Sequence, residues 1–197
     1  MTTDWIETFS GRRFRPTKPD VRQIDIMDIA HALSMKARFS GHCRKFYSVA
    51  HHSVIVSTLV PEEYALEGLL HDAAEAYVPD IPRPLRTLYP GMMEIEDGVH
   101  RAVAERFGTV YPLPPPVKEA DNRVLVDEAR ELMHSGGEEW GDFGWDYGPY
   151  GYGLLIRPVP PKESRDMFIK RYDELIELRE VDDPWHFKAI MRERRNK

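Results

Sequence analysis

Apolar residues recur at three- and four-residue intervals along most of this chain, the spacing that lines one face of an α-helix. Ile26, Ile29, Ala30 and Leu33 follow Asp25, a residue suited to cap a helix, and Gly41 closes that region. Ser48 is placed to cap a second stripe of Val49, His52, Val56 and Leu59, which ends at Pro61. A third runs from Pro61-Glu62-Glu63 to Pro79 through Leu66, Leu69, Leu70, Ala73, Ala74 and Tyr77. Asp80 to Arg86 reads as a rigid loop, because Pro82 and Pro84 forbid a continuous helix there. Ile95, Val99, Ala102, Val103 and Phe107 predict a helix from about Met93 to Gly108. Prolines from Pro112 to Pro116 introduce the stripe Val117, Ala120, Val124, Leu125 and Leu132. A last helix from Pro161 to about Val181 uses Met167, Phe168, Tyr172, Leu175 and Ile176. The first two dozen residues read as irregular, and strand-like alternation is nearly absent. The expectation is an all-α fold, a single globular helical bundle over residues 1–197.

One segment departs from this periodicity. Gly136 to Pro160 is crowded with glycine and with Trp140, Phe143, Trp145, Tyr147, Tyr150 and Tyr152. So many rings seldom stay solvated, so the segment reads as an ordered loop or lid, or as a contact that makes a homo-oligomer. At 42% hydrophobic and 30% charged residues the chain has the balance of a globular protein in water. A net charge of −6 argues against duplex nucleic acid as a partner, yet leaves room for a small anionic substrate beside a local cation. Cys43 stands alone, which excludes an intrachain disulfide and a cysteine-rich zinc site. No apolar run reaches the roughly 20 residues of a membrane span, and the N-terminus lacks a secretion signal. The expected compartment is cytoplasmic, with no membrane partner.

Chemistry enters at His71 and Asp72. They interrupt an otherwise core-facing stripe, and Glu75 follows one turn later on the same expected face. An imidazole and two carboxylates are costly to bury unless something compensates them, and a metal cation is the simplest compensator. A third ligand is best sought at His52, on the face of Val49 and Val56, with His51 pointing elsewhere; alone, His52 reads first as a hydrogen-bonded core residue, and the His-Asp pair on the adjoining helix reverses that order. Asp121 fits a fourth position beside Ala120, though an Asp there also suits a boundary. Asp127 and Glu128 compete on composition but fall in a charged run that reads as a solvated face. His100 and His134 read as solvated too.

Four elements in order, His52-Ser53, Leu69-Leu70-His71-Asp72-Ala73-Ala74-Glu75, Asp80-Ile81-Pro82-Arg83-Pro84-Leu85-Arg86 and Glu119-Ala120-Asp121, resemble the HD-domain phosphohydrolases. The likeness is greatest to their 5′-deoxynucleotidases and phage dATP triphosphohydrolases, and covers about residues 24–132. It implies an HD-type helical bundle in which His52, His71, Asp72 and Asp121 hold one divalent ion of zinc, manganese, cobalt or iron. A second ion such as magnesium would accompany the substrate phosphates. It also implies Glu75 and Asp80 as catalytic acids beside the attacking water. Arg38 with Phe39 matches an Arg-aromatic pair of the family, where the monophosphatases commonly carry tryptophan at the second position. Arg86 and Lys118, which faces as Asp121 does, are the further cations for phosphate. The implied activity is hydrolysis of deoxynucleotide phosphate bonds. Three cations tilt it toward a dNTP triphosphohydrolase, dATP being the first substrate to try. The other readings are a 5′-deoxynucleotidase acting on dNMPs and a non-catalytic nucleotide-binding module. Nothing in the family matches the segment after Gly136 or the tail from Pro184 to Lys197.

Overall fold

Two capping side chains fix where the first long helices begin. In the computed structural model, which describes residues 4–137 and 151–182, the Asp25 carboxylate accepts from the Met27 N–H at 2.9 Å and opens α1 (Ile26–Met35). The Ser48 hydroxyl accepts from the His51 N–H at 3.2 Å and opens α2 (Val49–Leu59). Helix α3 (Ala65–Leu70) lies against α2. Gly68 permits that approach: a Cβ there would sit 3.1 Å from both Ser57 Cα and Val60 Cγ2. After α4 (Arg83–Arg86) come α5 (Pro90–Phe107), α6 (Pro115–Leu132) and α7 (Pro161–Asp182). Helix α2 packs against α1, α3, α6 and α7. Ile29, Leu33, Val56, Leu66, Leu69, Val99, Val124 and Phe168 are buried together in the main apolar cluster. The described chain is mostly helical, and no described helix is long and apolar enough to cross a membrane.

Four expectations about elements need correction. The stripe from Pro61 to Pro79 is not one helix but a 3-10 turn at Glu62–Tyr64, then α3, then a 3-10 turn at Ala73–Ala76. Between the last two, Asp72 sits at φ −101°, ψ 12°. The Gly68 carbonyl, which an unbroken helix would offer to the Asp72 N–H, instead accepts from His71 Nδ1 at 2.8 Å. Glu75 therefore does not follow His71 along a regular α-helix. The proline loop, in turn, is partly helical, since Pro84 falls in the first turn of α4 where no N–H donor is required. Helix α1 ends at Met35, well before Gly41; a separate 3-10 turn spans Arg38–Gly41, with Phe39 at φ 54° and Ser40 at φ 52°. The N-terminal residues form an antiparallel hairpin, β1 (Ile6–Glu7) with β2 (Arg13–Phe14), in the register Ile6 to Phe14 and Glu7 to Arg13. Two pairs are too few to show alternation. The hairpin is held from outside: buried Asp28 accepts from the Ser10 N–H at 2.6 Å, and Phe14 stacks on Tyr77 at 4.1 Å. The segment read as a loop or lid falls largely at 138–150, outside the described residues, as does the tail from Pro184.

Candidate metal centre

Three elements bring four side chains together. His52 lies on the buried side of α2, His71 and Asp72 follow the end of α3, and Asp121 comes from α6. His52 Nε2 is 3.2 Å from His71 Nε2 and 3.0 Å from Asp121 Oδ1. His71 Nε2 is 3.2 Å from Asp72 Oδ2 and 3.8 Å from Asp121 Oδ1. Ligand atoms of His52, His71 and Asp72 all fall within 4.8 Å of one another. Both imidazoles are buried.

The other nitrogen of each ring explains the arrangement. His52 Nδ1 faces Glu128 Oε1 at 2.6 Å, and His71 Nδ1 faces the Gly68 carbonyl at 2.8 Å. A carboxylate and a carbonyl only accept, so each Nδ1 carries the hydrogen. Each neutral ring then turns its Nε2 lone pair toward the other. At this separation the two lone pairs repel unless a proton or a cation lies between them. Two imidazole nitrogens and two carboxylate oxygens form a donor set that suits zinc, manganese, cobalt or iron. Protons take that role when no cation is bound: burial alone would depress the His71 imidazole, but Asp72 and Asp121 raise it to about 9. Burial alone would raise the Asp72 carboxyl, yet His71, His52 and Arg38 hold it well below the usual carboxylate range.

Glu128 and Asp127 overturn the expectation of a solvated face, since both are wholly buried. Each is saturated with donors. Glu128 Oε1 accepts from the Tyr47 hydroxyl at 2.8 Å as well as from His52, and Oε2 accepts from Arg38 at 2.9 Å. Asp127 accepts from the Tyr152 N–H at 2.7 Å, the Gly153 N–H at 3.1 Å and Arg130 at 2.8 Å. One signal for Glu128 was available: it stands seven residues after Asp121, two turns along the same face. Arg38 also reaches Asp72 Oδ2 at 3.5 Å and lies over the Phe39 ring at 5.6 Å, while its buried Nε has no hydrogen-bond partner among the described residues.

The remaining candidates divide. Glu75 is half-buried, and burial together with Asp72 and Asp80 raises its carboxyl to about 8. Asp80 is exposed. Lys36, which had no place in the expected site, donates to the Glu75 carbonyl and, at 3.0 Å, to the Val78 carbonyl. It thereby fixes the turn between the two acids. Arg86 is engaged by Glu96 at 2.8 Å. Lys118 is exposed in the first turn of α6, one turn before Asp121, and no described contact brings it to the cluster. His134 is exposed, but His100 is not solvated as expected. Its side chain is 15% exposed and stacks on Tyr111 at 5.3 Å, and burial pushes the imidazole down to about 4. His51 is buried beside the Tyr47 ring at 5.2 Å, away from the cluster's nitrogen pair.

No family model matches the chain. The uncharacterized protein YfdR of Escherichia coli K12 is 40% identical over 175 residues, a span of 89% of this chain and 97% of the relative. An uncharacterized protein of Rhodobacter capsulatus is 35% identical over 191 residues, again 89% of this chain and 97% of its own length. With identity sustained over nearly the whole of both relatives, the chain belongs to the family of YfdR and its Rhodobacter counterpart.

Proposed function

We propose that this chain is an HD-domain phosphohydrolase that hydrolyses deoxynucleotide phosphate bonds with a divalent cation held by His52, His71, Asp72 and Asp121. The observation that carries the reading is the meeting of two Nε2 atoms at 3.2 Å, each ring's Nδ1 already bound elsewhere. A divalent ion at such a site shields charge on phosphoryl oxygens and brings the pKa of water toward neutrality. The chain's own residues supply the rest. The unpartnered Nε–H of Arg38 offers a hydrogen bond to an anionic oxygen, and its guanidinium carries charge into a chain that is negative overall. Glu75, raised to about 8, holds or releases a proton close to neutral pH. It accepts the proton of the attacking water or returns one to the leaving oxygen. Asp80, exposed beyond it, passes protons to solvent. In the reaction the water oxygen bonds to phosphorus, the bond to the 5′ oxygen breaks, and the proton ends on that oxygen.

Two substrates follow this scheme. Attack at the α-phosphorus of a dNTP, dATP first, releases triphosphate; attack on a dNMP releases inorganic phosphate. The triphosphate reading draws on Arg86 and Lys118, and a specific observation favours the monophosphate. Arg86 is paired with Glu96 and Lys118 is exposed, so Arg38 is the one of the three in contact with the cluster. Purified protein with manganese, cobalt or zinc, given each dNMP and dNTP, decides between them by the released product. A protein that is saturated with metal and hydrolyses none of them sinks the reading. Asp72→Ala protein that hydrolyses as fast as the parent places the hydrolysis outside this site and leaves the site a non-catalytic nucleotide-binding one.

A further inference from the structure

Glu128 lies outside the proposed ligand set, yet it is the residue on which the other groups converge. It is wholly buried on α6, and its two oxygens serve different partners. Oε1 takes the His52 Nδ1 at 2.6 Å and the Tyr47 hydroxyl at 2.8 Å; Oε2 takes Arg38 at 2.9 Å. Tyr47 touches the same unit twice, since its carbonyl accepts from the Arg38 N–H at 2.8 Å. Arg38 is thus gripped at backbone and side chain. The two residues after it, Phe39 and Ser40, hold left-handed backbone without being glycine, a conformation that persists only where surroundings enforce it. A guanidinium present only to neutralise Glu128 would have no reason to keep a buried Nε without a partner.

We infer that Glu128 is a positioning residue that ties cation binding to anion binding. One oxygen fixes the His52 ring with Nε2 toward the metal, and the other aims Arg38 at the phosphate. The inference rests on the metal-dependent phosphohydrolase reading, because it assigns Nε2 to a metal and Arg38 to a phosphate. Supporting carboxylates of ligating histidines change metal affinity by about 10- to 100-fold.

Calorimetry on the intact chain separates this role from a purely structural one. The probes are cobalt(II) alone, then inorganic phosphate on cobalt-loaded protein. The isosteric Glu128→Gln is expected to lower cobalt affinity about tenfold or more and also to weaken phosphate. Arg38→Gln is expected to weaken phosphate and to change cobalt affinity less than Glu128→Gln does. In the double variant phosphate binds no more weakly than in Arg38→Gln alone, because Glu128 acts on phosphate through Arg38. Parental cobalt affinity in Glu128→Gln, or additive phosphate losses in the double variant, overturns the inference. If Glu128→Gln does not fold, Tyr47→Phe keeps the ring and deletes one donor to the same carboxylate. It should lose cobalt affinity in the same direction, and no loss overturns the inference as well. A parent that binds no cobalt removes the metal-centre reading and this inference together. One that binds cobalt but hydrolyses no nucleotide removes the activity, and Glu128 is still decided by the cobalt arm.

Discussion

His52 and His71 meet nitrogen to nitrogen because each has its other ring nitrogen bound to an acceptor, and this makes their protonation a measure of what lies between them. His71 is raised to about 9 in the absence of metal. A raised imidazole contributes stability that is fully present below its ordinary value and is lost as pH rises through about 9. Glu75, a carboxyl raised to about 8 by burial, acts with the same sign. Between its ordinary value and about 8 the folded chain binds more protons than the unfolded one, so stability falls as pH rises. Below about pH 6.5 the depressed imidazole of His100 acts with the opposite sign, so metal-free protein should unfold at progressively lower denaturant from about pH 6.5 to about pH 9. Glu75→Gln should flatten the lower half of that slope and leave the upper half; an unaltered profile would show that Glu75 titrates normally. A divalent cation at the proposed site would take the place of the shared proton, so its binding should release protons and strengthen as pH rises. His52→Ala should lose more metal affinity than the roughly 10- to 100-fold that a supporting residue commands, read by calorimetry with cobalt. Equal affinity in that variant would place the metal elsewhere.

Helix α6 shows why some elements could be read in advance and others not. Asp25 and Ser48 were legible as caps because capping chemistry is local: the side chain and the N–H it accepts lie two or three residues apart. The grouping of His52, His71, Asp72 and Asp121 was legible through the resemblance of four short motifs, in order, to the HD-domain phosphohydrolases. The break in the stripe after Leu70 was not, because α3 and the turn after it are too short for 3.6- and 3.0-residue periods to diverge, and the same apolar residues are buried either way. For Glu128 the spacing from Asp121 was the one signal, and its partners were illegible for another reason, since His52 and Arg38 lie 76 and 90 residues away. A charged run looks solvated until such partners fold against it. Asp127 repeats the lesson by clasping the backbone at Tyr152 and Gly153 onto α6. Gly151 makes the clasp possible, because a Cβ there would lie 2.1 Å from Asp127 Oδ1. Gly151→Ala should cost about 1–3 kcal/mol of stability as the clasp gives way, measured by denaturant unfolding. A variant as stable as the parent would mean that the segment re-seats without loss.

The four proposed ligands come from α2, the end of α3 and α6, so a cation among them joins parts of the chain up to 69 residues apart, from His52 to Asp121. The unfolded chain offers no such preformed site, and metal binding is therefore also a contribution to folding. At a free concentration of about 100 times its Kd, a ligand specific to the folded state adds about 2.7 kcal/mol. For a chain of this size that corresponds to a rise of roughly 5–11 °C in Tm. Cobalt or manganese should produce that rise in the parent, and chelation should reverse it. In His52→Ala the rise should vanish, because a loss of more than about 100-fold in affinity leaves the metal below its Kd at the same concentration. Glu128→Gln should keep a reduced rise at the same metal concentration, since it weakens binding without removing a ligand. The order parent, Glu128→Gln, His52→Ala is what separates a built site from adventitious binding on an acidic surface, where all three proteins would shift alike.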